Sequence, residues 1–338
     1  MSIYHEAGVG QDAVGELADR IGWRIESTWT DDVIPDIGGF PAGLRVPPGY
    51  QQPVLLMTTA GLGTKAEIGR VTGLVEGLGY DLLAMVADDL AAAGAMPIAI
   101  QDYVAVGYLD VDRVEMLVES ITDACADTDV ALLGGRTTEH PGIIDGEGFD
   151  LAATGLGIVD LGDEIDNGRI EIGDVIIGVH STNLRTAGFS LVRALIVDQL
   201  DLDAAFPGSD RTFAETLLEP SVVYAPAVVN ALARVEAHGL AHITRGGLPR
   251  GIARILPEGT AASIERSRWT MPDVFGILQD LGNVAEEEMF RTFNMGIGFV
   301  AIAPEGDADH LIKGFGSHDH DATVIGRIIG GEGTVEIS

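Results

Sequence analysis

A single cysteine, Cys125, occurs among 338 residues, so neither an internal disulfide nor a thiolate metal cage is available. Lysine is nearly as scarce: of 20 basic residues only Lys65 and Lys313 are lysines, and the other 18 are arginines. Basic charge as a whole is short, with 20 Lys plus Arg against 52 Asp plus Glu, a formal net charge of -32 and a pI near 4.3. Such a surface repels phosphate backbones and excludes nucleic acid as a natural partner. No apolar run reaches the roughly 20 residues that a bilayer span requires. The opening Met1-Ser2-Ile3-Tyr4-His5-Glu6 lacks the basic-then-apolar layout of a secretory leader. No membrane partner is expected, and a cytoplasmic location is the natural reading.

What is present points to a folded α/β (α+β) chain. Hydrophobic residues make up 46% and are spread along the whole length, enough for two cores. From residue 53 to about 160 the pattern alternates between strands and helices. Residues 53–58 read as a short buried strand ended by glycines, 81–93 as a helix and 97–106 as the next strand. Over 111–126, Val114, Leu117, Val118, Ile121 and Cys125 fall on one stripe of an amphipathic helix. Strands at 130–133 and 151–159 complete the first half. The polar, turn-rich stretch 161–168 marks the boundary, giving an N-terminal domain of 1–165 and a C-terminal α/β domain of 166–338. The second half predicts strands at 174–179, 240–244, 261–265, 296–303 and 322–328. Helices are expected at 187–198, 221–237, from Gly247 and at 272–281.

Five segments stand out, all expected at strand ends. In Thr58-Thr59-Ala60-Gly61-Leu62-Gly63-Thr64-Lys65, small residues let backbone amides approach an anion, and Lys65 is long enough to reach a phosphate. The spacing is not that of a P-loop, and a plain glycine turn fits the same residues. Asp81 and Asp88 are seven apart and share a helix face, while Asp81 also suits a helix N-cap. Adjacent Asp88 and Asp89 in an otherwise apolar helix suit a hard cation such as Mg²⁺. The remaining segments are Gly134-Gly135-Arg136-Thr137-Thr138-Glu139, Arg185-Thr186-Ala187-Gly188-Phe189-Ser190 and Thr244-Arg245-Gly246-Gly247. Each alone is a weak signal; together they predict a composite ligand site. His238 and His242 are not expected to form a zinc pair, because Gly239 ends a helix between them. The cluster Ser317-His318-Asp319-His320-Asp321 reads as solvated surface, and Asn294 as a residue that orients its turn.

In this order the segments resemble the aminoimidazole ribonucleotide synthetases, or phosphoribosylformylglycinamidine cyclo-ligases. The resemblance starts at Tyr4-His5-Glu6-Ala7-Gly8-Val9 and runs through Gly38-Gly39-Phe40, Gly61-Leu62-Gly63-Thr64-Lys65 and Asp81-Leu82-Leu83-Ala84-Met85. It continues at Asp89-Leu90, Asp102-Tyr103, Gly134-Gly135 and Gly188-Phe189-Ser190-Leu191-Val192-Arg193. Leu218-Glu219-Pro220 and Arg291-Thr292-Phe293-Asn294 complete it. It implies two domains, the N-terminal one dimerising through its sheet, with ATP and Mg²⁺ near the glycine turns and a small phosphorylated substrate. It further implies ATP-dependent closure of an imidazole ring in purine synthesis. Nucleotide contacts fall to Gly61, Gly63, Thr64, Lys65, Gly134, Gly135, Arg136, Thr137, Gly188, Ser190, Thr244, Arg245, Gly246 and Gly247. Asp88 and Asp89 are the metal candidates, and Asp89, Glu139 and Arg185 the catalytic ones.

Departures from the family pattern are concentrated at the same turns. Ala60 stands where Asp is usual, Arg136 where Glu is, and Arg245 where Gly is. Arg185-Thr186-Ala187 replaces a His-Ser/Ala-Asn run, Asp88 replaces Asn, and Ser221-Val222 stands where an Arg is usual. Guanidiniums offer another way to hold an anion in place of metal, and Arg136, Arg185 and Arg245 are expected to share one pocket. The alternative reading is therefore a divergent paralogue with lost or altered Mg-ATP chemistry, acting as a binding partner or on another anionic substrate. Lys65, Asp89 and Glu139 argue against a purely structural role.

Overall fold

The computed structural model describes residues 11–35, 42–195 and 200–338. Residues 4–9 and Gly38-Gly39-Phe40, which carry part of the resemblance, lie outside these. Contacts divide the chain into one unit of Met1–Leu90 and Pro97–Leu161 and a second of Ala91–Met96 and Gly162–Ser338.

In the first unit, α1 (Gln11–Ser27) and the two-residue strands β1 (Val33–Ile34) and β2 (Gly43–Leu44) precede the main sheet. That sheet has the order β3-β6-β4-β5, from β3 (Pro53–Gly61), β4 (Met96–Val106), β5 (Ala131–Glu139) and β6 (Phe149–Asp160). β3 runs antiparallel to β6, and β4 parallel to β5. The helices are α2 (Lys65–Thr72), α3 (Leu78–Ala92) and α4 (Val111–Asp127). The stripe Val114, Leu117, Val118, Ile121 and Cys125 is buried in α4, which Asp110 caps by accepting from Arg113 N.

Two expectations are corrected here. The strand at 53–58 is not buried: Leu55 and Met57 are 51% and 70% exposed, because β3 is an edge strand with alternating packed and open residues. Nor does the segment from Gly134 to Glu139 turn away after its strand; it continues β5. Ile100 faces Leu132 and Asp102 faces Gly135, so three residues of β5 span two of β4. Gly134, at φ 122°, lies within that bulge, where a side chain would be strained.

The second unit holds β7 (Val175–His180), β8 (Gly239–His242), β9 (Thr260–Ile264), β10 (Ile297–Ala303), β11 (Ala322–Gly330) and β12 (Val335–Ile337). Their order is β12-β9-β11-β7-β10-β8, antiparallel except between β12 and β9. Every residue of β10 is buried, as befits a strand inside the sheet. Helices α5 (Phe189–Leu195), α6 (Phe213–Leu217), α7 (Ala225–Leu232), α8 (Gly247–Ala253), α9 (Asp273–Gly282), α10 (Glu286–Thr292) and α11 (Ala308–Gly316) complete it. The helix expected over 221–237 is only α7, and α6, α10 and α11 were not expected. At five, seven and nine residues these are too short for periodicity to mark them. α6 is instead fixed by a reciprocal cap between Thr212 and Glu215.

Candidate nucleotide-binding site

In the first unit, β3 ends at Gly61 and α2 begins at Lys65. Gly61 and Gly63 are exposed and Thr64 is half-buried, so this turn presents backbone outward. Lys65, expected to extend toward a phosphate, points inward instead. Its Nζ lies 2.7 Å from Asp81 Oδ2, and both side chains are fully buried. Asp81 does not cap its helix: α3 starts three residues earlier, and Asp81 sits inside the first turn. Burial sets the choice, since an ammonium without an opposite charge would be costly there.

Asp88 and Asp89 diverge. Asp88 is fully buried and Asp89 is exposed. Among the described residues, no group of three or more His, Cys, Asp or Glu side chains gathers as a metal site.

The bulge in β5 places Gly134, half-buried, beside Gly135 and Arg136, both exposed. Thr137 and Glu139 are half-buried, and Glu139 Oε1 accepts from Leu109 N at 2.8 Å. Asp102 crowds Gly135 so closely that a methyl group there would stand 1.3 Å from Asp102 Oδ1. Burial pushes the Asp102 carboxyl up to about 7, partly offset by a backbone hydrogen bond. In the sequence Asp102 stands out only as part of the matched pair Asp102-Tyr103. The available signal was a carboxylate inside the apolar run Ile98-Ala99-Ile100-Gln101-Asp102-Tyr103-Val104. Next to it, Tyr103 Oη and His140 Nε2 are 2.7 Å apart.

In the second unit, Asn183 joins two of the matched segments to the departing turn at Arg185. Its Oδ1 accepts from Arg185 N at 2.9 Å, its Nδ2 donates to Pro220 O at 2.8 Å, and its backbone O accepts from Asn294 Nδ2 at 2.9 Å. Asn294 Oδ1 accepts from Gly296 N at 2.8 Å, the turn-orienting role expected of it. Arg185 has φ 58°, a left-handed conformation unusual for a side-chain-bearing residue. It is buried, with its guanidinium 4.6 Å from the centre of the Tyr224 ring. Tyr224 in turn donates its hydroxyl to His180 O at 2.7 Å. Gly188 is half-buried and Ser190 exposed at the start of α5. Thr244 and Gly246 are half-buried and Arg245 is exposed. Gly247, at φ 60°, must be glycine: a methyl there would stand 2.0 Å from Phe290 O.

Of the three arginines expected to share a pocket, Arg136 belongs to the first unit and Arg185 and Arg245 to the second. Within the second, one is buried against an aromatic ring and the other faces solvent. His238 lies before β8 and bonds Asp174 Oδ2 through Nδ1 at 2.8 Å, while His242 is buried within that strand. The helix expected to end at Gly239 stops at Leu232 instead, and Gly239 opens β8.

These features define a two-domain α/β protein with glycine turns at its strand ends. The family model of the AIR synthase related protein N-terminal domain matches residues 43–159, and that of the C-terminal domain matches 171–338. The chain belongs to the AIR synthase related family. It is 40% identical over 338 residues to phosphoribosylformylglycinamidine cyclo-ligase of Carboxydothermus hydrogenoformans, covering 99% of this chain and 98% of the relative. It is also 40% identical over 331 residues to that of Sorangium cellulosum, covering 96% and 95%. Among solved structures, thiamine-monophosphate kinase from Stenotrophomonas maltophilia has a TM-score of 0.70 at 22% identity, covering 98% of this chain and 97% of the other. The hydrogenase maturation protein HypE in complex with ATP has a TM-score of 0.70 at 17% identity, covering 97% and 91%. These last two likenesses show the fold.

Proposed function

We propose that this chain is an ATP-dependent cyclo-ligase that closes the imidazole ring of phosphoribosylformylglycinamidine in purine synthesis. The observation that carries this reading is 40% identity to a curated cyclo-ligase, spread over 99% of the chain. ATP transfers its terminal phosphoryl group to the formyl (amide) oxygen of the substrate, a nitrogen attacks the activated carbon, and phosphate leaves with that oxygen. The protein's work is positioning and charge stabilisation. Gly61, Gly63 and Thr64 offer backbone to phosphate, with Lys65 and Asp81 bracing the turn from inside. Gly134, Gly135 and Thr137 form the second nucleotide-facing element, and Gly188, Ser190, Thr244, Gly246 and Gly247 those of the other unit. Arg136 and Arg245, both exposed, are the guanidiniums that would meet anionic groups of the ligands in this reading. In this reading Asp89, the exposed acid of its pair, and Asp88 would hold Mg²⁺. Glu139 and Arg185 are the remaining catalytic candidates. The test is turnover of phosphoribosylformylglycinamidine and Mg-ATP by the purified chain, followed as aminoimidazole ribonucleotide and ADP.

The working form in this reading is a cytoplasmic homodimer. Leu55, Met57 and Tyr103, 51%, 70% and 39% exposed on strands of the first unit's sheet, are apolar surface that a second copy would cover. Among the described residues no helix is long and apolar enough to cross a membrane.

A second reading rests on Ala60, Arg136, Arg185 and Arg245. If these substitutions abolish Mg-ATP chemistry, the chain is a divergent paralogue that binds an anionic ligand without turning it over. Ligand binding with no product in the same assay would select that reading.

A further inference from the structure

Arg266 stands out in the second unit. Its neighbour Arg268 is paired with Glu265 at 2.8 Å, as expected where carboxylates outnumber basic residues 52 to 20. Arg266 has no carboxylate within ion-pair distance among the described residues. Its guanidinium donates to Met271 Sδ at 3.8 Å and stands 6.0 Å from the centre of the Trp269 ring. The backbone beneath it is fixed, since Arg266 N donates to Ser338 O at 2.8 Å. The guanidinium is half-buried and carries no carboxylate partner of its own, so it is the cation at this place that can accept an anionic ligand.

That side chain lines a pocket of about 480 Å³. Pro249, Phe290, Val335 and Ile337 give it apolar walls, and it shares none of its lining with the nucleotide-facing turns. Arg291 also lines it but is already paired with Glu287 at 2.6 Å. Glu286, exposed, and Ser338 also line it. Arg266 therefore supplies one available positive charge beside apolar walls, while Glu286 disfavours a ligand carrying two negative charges. This pattern suits a monoanion better than a phosphate dianion.

We infer that this pocket binds a small carboxylate with an apolar body, its carboxylate on Arg266 and its body against Phe290, Val335 and Ile337. Phenylacetate is a suitable probe, and benzyl alcohol is its match without the charge. Calorimetric titration of the full chain with millimolar phenylacetate should give saturable binding that inorganic phosphate does not displace. Arg266→Gln should weaken that binding at least about tenfold, the scale of one charge-assisted hydrogen bond. Arg268→Gln should leave it nearly unchanged, and both variants should melt within a few degrees of the parent. No phenylacetate binding, equal binding of benzyl alcohol, or undiminished binding by folded Arg266→Gln would each overturn the assignment. ADP formation from Mg-ATP and phosphoribosylformylglycinamidine is measured separately, so this site and the cyclo-ligase reading stand or fall independently.

Discussion

Lys65 Nζ and Asp81 Oδ2 lie 2.7 Å apart with neither side chain exposed, and this pair locks the turn after β3 to the first turn of α3. Lys65 is one of only two lysines, and it serves the glycine turn from behind. Removing one member of such a pair strands the other charge. Lys65→Met should therefore destabilise the protein by about 3–5 kcal/mol in urea unfolding. Lys65→Met with Asp81→Leu should recover much of that loss. A single variant as stable as the parent would show that the pair does not brace the turn.

Gly135 is fixed by Asp102. A methyl group on Gly135 would meet Asp102 Oδ1 at 1.3 Å and Asp102 O at 2.7 Å. Gly135→Ala should cost roughly 1–3 kcal/mol through forced displacement. Adding Asp102→Ala should relieve only the side-chain part, because the backbone oxygen stays. Thermal melts of the two single variants and the double variant check this, and full recovery in the double variant would contradict it.

Asp102 also makes a pH prediction. Folded, its carboxyl holds a proton to about 7; unfolded, it releases it near its ordinary value of 3.8. Between those values the folded state binds more protons, so this group's contribution to stability falls as pH rises, by about 1.4 kcal/mol per unit at most, and levels off above 7. Asp102→Asn should remove that slope. Its stability relative to the parent should therefore improve from pH 4 to pH 7. A constant difference across that range would rule out the raised proton affinity.

Assembly should depend on salt. At a formal charge of -32, two copies repel, and screening weakens that repulsion. Sedimentation should find a dimer at physiological ionic strength that loosens as salt is removed. Met57→Glu, on the open face of β3, should give monomers throughout. Dimerisation unaffected by Met57→Glu would move the interface elsewhere.

Much of the fold was legible because periodicity and burial agree. The stripe on α4 and the apolar run of β10 needed no tertiary information. Where tertiary geometry decides, the sequence was silent. Gly134-Gly135 looks like a turn, yet a bulge carries β5 through it. Asp81 fits a cap, yet a buried lysine claims it. Asn183 gave no signal at all, because its role lies in joining Arg185, Pro220 and Asn294 across distant stretches of chain. The substitutions at Ala60, Arg136 and Arg245 were plain in the sequence, but what they do to the chemistry depends on bound ligands.

ATP-dependent ring closure is tested most directly by following the formyl (amide) oxygen of phosphoribosylformylglycinamidine. With that oxygen labelled with a heavy isotope, the purified chain and Mg-ATP should yield aminoimidazole ribonucleotide and ADP in equal amounts, with the label in inorganic phosphate. No aminoimidazole ribonucleotide from a folded protein, or product formed with unlabelled phosphate, would contradict the proposed activity.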